Sequence, residues 1–308
     1  MAAPGTEHRK QWEAVPMKKK TSYRSEKSAY LMILPSYLIF FIIILVPIGW
    51  TFGMSFTDYN FKTFQFVGIK NYLAIFQDEL FLKSILNTIW YSVLTIIPSM
   101  VLSLLLAIFL NAKIPGRGIF RTIFYLPHIL SMVAVAMAWS YMYNTQAGII
   151  NKALNAIGIS SVGWLSDGKI AMISVAIMSV WASLGYYTLL NLSGLQGIPS
   201  YLYEAASIDG ATGIQQFFYI TIPSLRPTTF FIFVMACIAS FEVFGQVYIM
   251  TNGGPLNSTT TIAHQVYLNG FQYYKMGYAS AEAIILLVII LTITVINMKF
   301  GGGSNDES

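Results

Sequence analysis

Apolar residues along this chain gather into runs of about twenty, the length a helix needs to cross roughly 30 Å of hydrocarbon at about 1.5 Å per residue. Such runs lie near residues 30–52, 86–110, 120–143, 170–195, 227–250 and 278–299. They predict an all-α integral membrane protein with six transmembrane helices. The stretch after the first run, SFTDYNFKTFQFVGIKNYLAIFQDELF, alternates aromatic and polar residues and predicts a short strand or turn followed by a surface helix near 71–77. After the third run, NTQAGIINKALNAIGISSVGWLSDGK reads as short amphipathic pieces resting on the membrane. Tyr72, Phe76 and Trp164 in these stretches fit an aromatic interfacial belt.

The most elaborate polar stretch is YLYEAASIDGATGIQQFFYITIPSLRP, 201–227, which holds the only formal charges between Ile170 and Phe241: Glu204, Asp209 and Arg226. Pro199 and Ser200 form a helix entry with Ser200 as N-cap, and Glu204 sits about one turn in, where the helix dipole favours an anion. Gly210 follows Asp209 where a glycine ends a helix. A second short helix over about 212–219 then runs to Pro223, which breaks it before the next span. The residues thus predict a helix-turn-helix and leave open whether it packs on the bundle or docks a partner.

Charge sets the orientation, because Lys and Arg collect in cytoplasmic loops. Placing both termini inside puts twelve basic residues there, including Lys113, Arg117 and Arg121 of the second loop, against six outside. The helix-turn-helix then faces the cytoplasm. The basic tail, residues 1–29, reads as a topology signal with lipid-headgroup contact rather than a nucleic-acid arm. Residues 30–300 form the membrane domain, and GGGSNDES, 301–308, a disordered tail.

Composition agrees with this reading and excludes other classes. The chain is 56% hydrophobic and only 10% charged, far from a soluble domain. Its single cysteine, Cys237, lies inside the fifth run and reads as a buried thiol without a disulfide partner. His8, His128 and His264 are too scattered to predict a metal cluster. No G-x-x-x-x-G-K-[ST] stretch cradles a nucleotide, and no paired carboxylates or nucleophile-base set stands in a polar cleft, so the chain is not read as an enzyme.

An ionisable residue inside a span is a functional candidate by default. Glu242 lies in the fifth run with Ser240 before it and Gln246 four residues on, the latter predicted on the same helix face. In the fourth run Ser179, Ser183 and Tyr186 form one stripe at three- and four-residue steps, with Tyr187 and Asn191 nearby. Hydroxyls and amides beside aromatic rings suit a sugar, although they serve equally as interhelical hydrogen bonds. Glu282 lies nearer a membrane face, where it pairs or snorkels. Pro47, Pro98 and Pro127 interrupt spans and predict kinks.

Glu204, Ala205, Ala206, Gly210, Ile222 and Pro223 fit a known pattern: E-A-A, a glycine six residues after the glutamate, then a hydrophobic residue and proline. The segment resembles the EAA loop of permease subunits of binding-protein-dependent ABC importers. FTDYN, FVGIKNY, RGIFRTIFYLPHIL, GLQGIPSYLYEAASIDGA, TIPSLRPT and TNGGPLNSTTT stand in the order found in carbohydrate-uptake permeases of the maltose type. This resemblance implies that the loop, with Asp209 at its turn, inserts into a cleft on a cytoplasmic ATPase. Glu204 would meet a basic residue there, Ala205 and Ala206 would allow close backbone approach, and Gly210 the tight turn.

It further implies a second, similar permease as heterodimer partner, two ATPase subunits carrying ATP and Mg, an extracytoplasmic solute-binding protein and a carbohydrate substrate. The chain itself would bind no cofactor. Its place would be the cytoplasmic (inner) membrane of a bacterium or archaeon. The corresponding stretches of the fourth and fifth spans contact sugar in that family, although Ala236, Ala239 and Ser240 stand where amides and aromatics are expected. Two rival readings are a permease for a polyol or glycerol phosphate and a secondary transporter using Glu242 as an ion site.

Overall fold

The structure, a computed structural model, describes residues 23–112 and 115–301. Most of the basic tail, Lys113 and the residues after Gly301 lie outside them. Helix α1 (Tyr23–Phe40) passes through a π turn (Phe41–Leu45) into α2 (Val46–Met54). Pro47 has no N–H to close the ladder, and the π turn sits just ahead of it. Up to Trp50 this helix is a unit by itself, its apolar side chains exposed.

The second unit begins at Thr51. An isolated bridge pairs Thr57 with Phe66, and α3 (Lys70–Ile75) follows, as the first loop predicts. Next come α4 (Glu79–Asn111), α5 (Arg117–Ile129), α6 (Met132–Met142), α7 (Ile149–Ala156) and α8 (Ala171–Gln196). Then follow α9 (Ser200–Ile208), α10 (Gly213–Gln216), a π turn (Phe217–Thr221), α11 (Ile222–Ser224), α12 (Arg226–Phe241) and α13 (Gly245–Met250). Finally α14 (Ile262–Tyr267) and a π turn (Leu268–Gln272) lead into α15 (Met276–Gly301).

Four segments are long and apolar enough to cross a membrane: Tyr30–Met54, Glu79–Asn111, Ala171–Gln196 and Met276–Lys299. The third apolar run is a bent pair, by 97° between Ile129 and Met132, and the helix holding the start of the fifth run is bent by 62° from the one before it, between Ser224 and Arg226. Pro98 leaves α4 as one helix, whereas Pro127 lies three residues before extended Leu130, where α5 ends.

The α4 and α8 helices pack along most of their length. Small buried residues allow it: Ser84, Thr88, Ser92, Thr95, Ser99, Ser103 and Ala107 recur at three- to four-residue steps along α4, a stripe that lets backbones approach. Most of these hydroxyls donate to a carbonyl of their own helix, as Thr88 does to Ser84 (2.7 Å) and Ser92 to Thr88 (2.8 Å), while Ser99 Oγ lies 3.4 Å from Ser183 Oγ on α8, so burying them leaves no orphan donor. Glycine sets the α5–α8 approach: a Cβ at Gly185 would collide with the Phe124 carbonyl and lie 2.7 Å from Tyr125 Cα.

Several sequence expectations are corrected. Trp164 is no lipid-facing belt residue, since its ring packs on Tyr143 and its Nε1 donates to Asn151 Oδ1 at 3.0 Å. Tyr72 is likewise half-buried, its hydroxyl 2.7 Å from that of Ser55. Glu282 does not snorkel. It is fully buried, and its Oε1 accepts from Asn269 Nδ2 at 2.9 Å, tying the last π turn to α15.

Candidate functional site

A cavity of about 480 Å³ opens where α4, α8, α12, α13 and the α5–α6 break converge. The broken helix matters, because extended Leu130 turns the chain there and Pro127, His128 and Met132 enter the wall from both sides of the bend. From α8 come Ser179, Ser183, Tyr186 and Tyr187; from α12 and α13 come Ser240 and Gln246. The α4 helix adds Tyr91, Thr95 and Ser99, which the sequence reading missed along with His128. The Ser/Thr spacing along α4 was the available signal. His128 and Tyr186 stack almost flat, with centroids 4.7 Å apart and planes at 10°.

Two residues predicted for this site lie elsewhere. Asn191 is buried lower on α8, donating from Nδ2 to Ser103 Oγ at 3.0 Å. Glu242 caps the end of α12, is exposed, and does not line the cavity. It shares no helix face with Gln246, because the helix stops at Phe241 and restarts at Gly245. Buried Thr261 Oγ1 donates to the carbonyl of Val243 at 2.8 Å, and this long-range bond holds the ladder open.

The segment 199–224 is a clasped helix-turn-helix. Pro199, not Ser200, occupies the N-cap, and no side chain caps the end. Gly210 takes φ +80°, and the Ala211 N–H reaches back to the Ala206 carbonyl at 2.9 Å, so glycine closes α9 as its sequence position predicts. Thr212 and Gln215 form a reciprocal capping box at the start of α10. Tyr203 OH meets Thr221 Oγ1 at 2.9 Å and Gln216 Nε2 donates to Ser207 Oγ at 2.9 Å, fixing the helices to each other. Pro223 does not end the second helix, which bends after it at Leu225. The outward face is apolar for a polar loop, with Ile208 87% and Tyr219 80% exposed. Glu204, Ala205, Asp209 and Gly210 are exposed beside them, and Ala206 is half-buried. Exposed apolar side chains held on a rigid frame mark a surface that meets either another protein or the membrane.

Residues 85–300 match the family described as binding-protein-dependent transport system inner membrane component. The chain belongs to this family. Among its relatives are the trehalose/maltose transport system permease protein MalF of Thermococcus litoralis, 36% identical over 92% of this chain and 96% of that one. Another is the sn-glycerol-3-phosphate transport system permease protein UgpA of Agrobacterium fabrum, 38% identical over 77% and 80%. A solved bacterial ABC transporter involved in import of the acidic polysaccharide alginate has a chain that superposes with TM-score 0.81 and 26% identity, covering 92% of this chain and 98% of that one.

In this permease the loop after α13 is latched rather than slack. Lys83 Nζ donates to the Leu256 carbonyl (2.8 Å), and Asn87 Nδ2 to those of Asn257 (3.0 Å) and Thr260 (2.9 Å). Gly253, at φ +80°, lies where a Cβ would fall 2.5 Å from Thr260 Oγ1 and 2.8 Å from His264 Cε1. His264 is buried beside Phe244 and Tyr248, with Nε2 3.3 Å from Asn252 Oδ1. Burial there pushes its pKa below the ordinary imidazole value.

Proposed function

We propose that this permease forms half of the pathway of an ATP-driven importer and translocates a carbohydrate through the cavity between α4, α8 and α12. The observation that carries this reading is the lining itself: Thr95, Ser99, Ser179 and Ser183 share one cavity with a stacked ring pair. A glycan presents hydroxyls at its rim and C–H faces to rings, so such a wall suits it. A second, similar permease closes the cavity; of two ATPase subunits carrying ATP and Mg, one docks on 199–223 of this chain, while this chain binds no cofactor. A solute-binding protein delivers cargo from outside. Six crossings place both termini and the docking segment in the cytoplasm of a bacterium or archaeon, with the chain in its inner membrane.

The exposed carboxylate of Glu204 meets a basic residue of the ATPase, Ala205 and Ala206 let backbones close, and Asp209 with Gly210 forms the turn. Nucleotide-driven closure of the ATPases then moves α9, and with it the bundle, between inward- and outward-facing states. The test is sugar-stimulated ATP hydrolysis in proteoliposomes holding this chain, its partner permease, the ATPase and the binding protein. Breaking a desolvated interface charge pair costs about 2–5 kcal/mol. Glu204→Ala is therefore expected to abolish stimulation while the complex still assembles. Stimulation that is indifferent to Glu204 sinks the coupling role.

A further inference from the structure

The cavity wall carries information about charge that the relatives' names leave open. Among the described residues no Lys, Arg, Asp or Glu lines it. Four of its hydroxyls are also spoken for in one direction. Thr95 Oγ1 donates to the Tyr91 carbonyl (2.9 Å), Ser179 Oγ to Val175 (3.0 Å), Ser183 Oγ to Ser179 (2.9 Å) and Ser240 Oγ to Cys237 (2.8 Å). Each hydroxyl has one proton, and helix carbonyls take it. These four side chains therefore turn lone pairs to the cavity, while Ser99, Tyr91, Tyr186, Tyr187, His128 and Gln246 bring it neutral O–H and N–H donors. The nearest formal charge in sequence is also negative: Glu242, two residues beyond Ser240.

From this we infer that the cavity selects an uncharged, hydroxyl-rich glycan and rejects acidic sugars and phosphate esters, with the His128–Tyr186 stack as the platform for its C–H face. A neutral glycan brings O–H groups that can donate to the acceptor hydroxyls and accept from the neutral donors of the same wall. A carboxylate or phosphate brings only acceptors, and no cation in the wall offsets its loss of water. The ring pair supports the assignment independently, since both stacked rings line the space that the hydroxyls border. This inference rests on the importer reading above and narrows its substrate class.

The experiment reads the cavity directly in the assembled complex, without the binding protein's own selectivity. In a Cys237→Ser background, Ser183→Cys places a thiol in the wall, and its alkylation by iodoacetamide is followed by mass spectrometry. Probes are oligosaccharide pools from neutral polysaccharides (starch, galactan, arabinan, mannan), acidic pools from pectate and alginate, and glycerol phosphate. At least one neutral pool is expected to slow alkylation about tenfold and no acidic probe to do so, the discrimination a hydrogen-bonding site readily supplies. Thr95→Cys gives the same readout if Ser183→Cys fails to assemble.

Ala239→Lys adds a cation at an exposed lining position and is expected to let acidic pools protect. His128→Phe should keep protection by the neutral pool and His128→Ala lose it. Protection by acidic probes in the starting chain, or by no pool at all, overturns the proposal, as does continued rejection of acidic pools by Ala239→Lys. Should an acidic glycan drive Glu204-dependent hydrolysis, the importer reading stands and this inference alone falls.

Discussion

His264 shows how one buried side chain can govern a loop. Its Nε2 faces Asn252 Oδ1, its Nδ1 has no hydrogen-bond partner, and its ring neighbours Phe244 and Tyr248 bring no negative charge to stabilise a cation. Burial therefore favours the neutral ring and lowers the pKa relative to the unfolded chain. The sign follows from linkage: the unfolded state binds the proton more readily, so stability is fully present above the unfolded pKa of about 6.5 and is lost as pH falls below it, at up to about 1.4 kcal/mol per pH unit. Amide exchange across 252–264 is expected to speed up, beyond its intrinsic change, between pH 7.5 and 5.5. His264→Gln should flatten that dependence. A protected, pH-independent loop in the unsubstituted chain would contradict it. Nothing in the sequence announced this histidine, because its environment is assembled from α13 and α14 and from the turn at Gly253.

At the level of elements, the α5–α8 contact decides the shape of the cavity. The Cβ that Gly185→Ala adds would strike main-chain atoms of Phe124 and Tyr125, which cannot rotate aside as a side chain can. Overpacking of this kind costs about 1–3 kcal/mol, and displacing α5 also displaces His128 from its 4.7 Å stack on Tyr186. Gly185→Ala is expected to lower the thermal midpoint of the solubilised complex and to weaken protection by the neutral pool. Gly118→Ala, on the same α5 but facing open space, should be neutral or stabilise by about 0.4–1 kcal/mol. Equal behaviour of the two would mean the contact is not tight.

What was legible in the sequence divides along the same physical line. Gly210 ends α9 because a local φ +80° demands glycine, and Ser179, Ser183 and Tyr186 meet in one wall because their spacing alone puts them on one face. The break at Glu242 was hidden, since no proline stands in FEVFG and the cause, Thr261 bonding to Val243, lies 18 residues away. The same holds for Tyr91, Thr95, Ser99 and His128, whose roles exist only once α4 and α5 are set against α8.

For the molecule as a whole, the open quantity is parity: how many times the chain changes sides. The three unbroken spans of the second unit each exceed the roughly 30 Å hydrocarbon thickness, but α5, α6 and α12, with 13, 11 and 16 residues, reach only about 20, 17 and 24 Å at 1.5 Å per residue. At 97° the lengths of α5 and α6 do not add along one axis, so charge must argue for that crossing. Arg117 and Arg121 at the start of α5 continue a basic stretch without acids, as a cytoplasmic end does, and the same count places 199–223 with them. Single cysteines in a Cys237→Ser background settle each bent pair separately. With six crossings, an impermeant thiol reagent outside intact cells labels Lys62→Cys, Lys152→Cys and Leu256→Cys, the last at a position 92% exposed, and spares Ala112→Cys and Ser207→Cys until the membrane is opened. A re-entrant α5–α6 pair would put Lys152 on the side of Ala112, and a re-entrant α10–α12 pair would put Leu256 on the side of Ser207. Because α8 always separates Lys152 from Ser207, that pair is the internal control, and either re-entrant outcome would remove the docking segment, or the latched loop opposite it, from the face where the importer mechanism needs it.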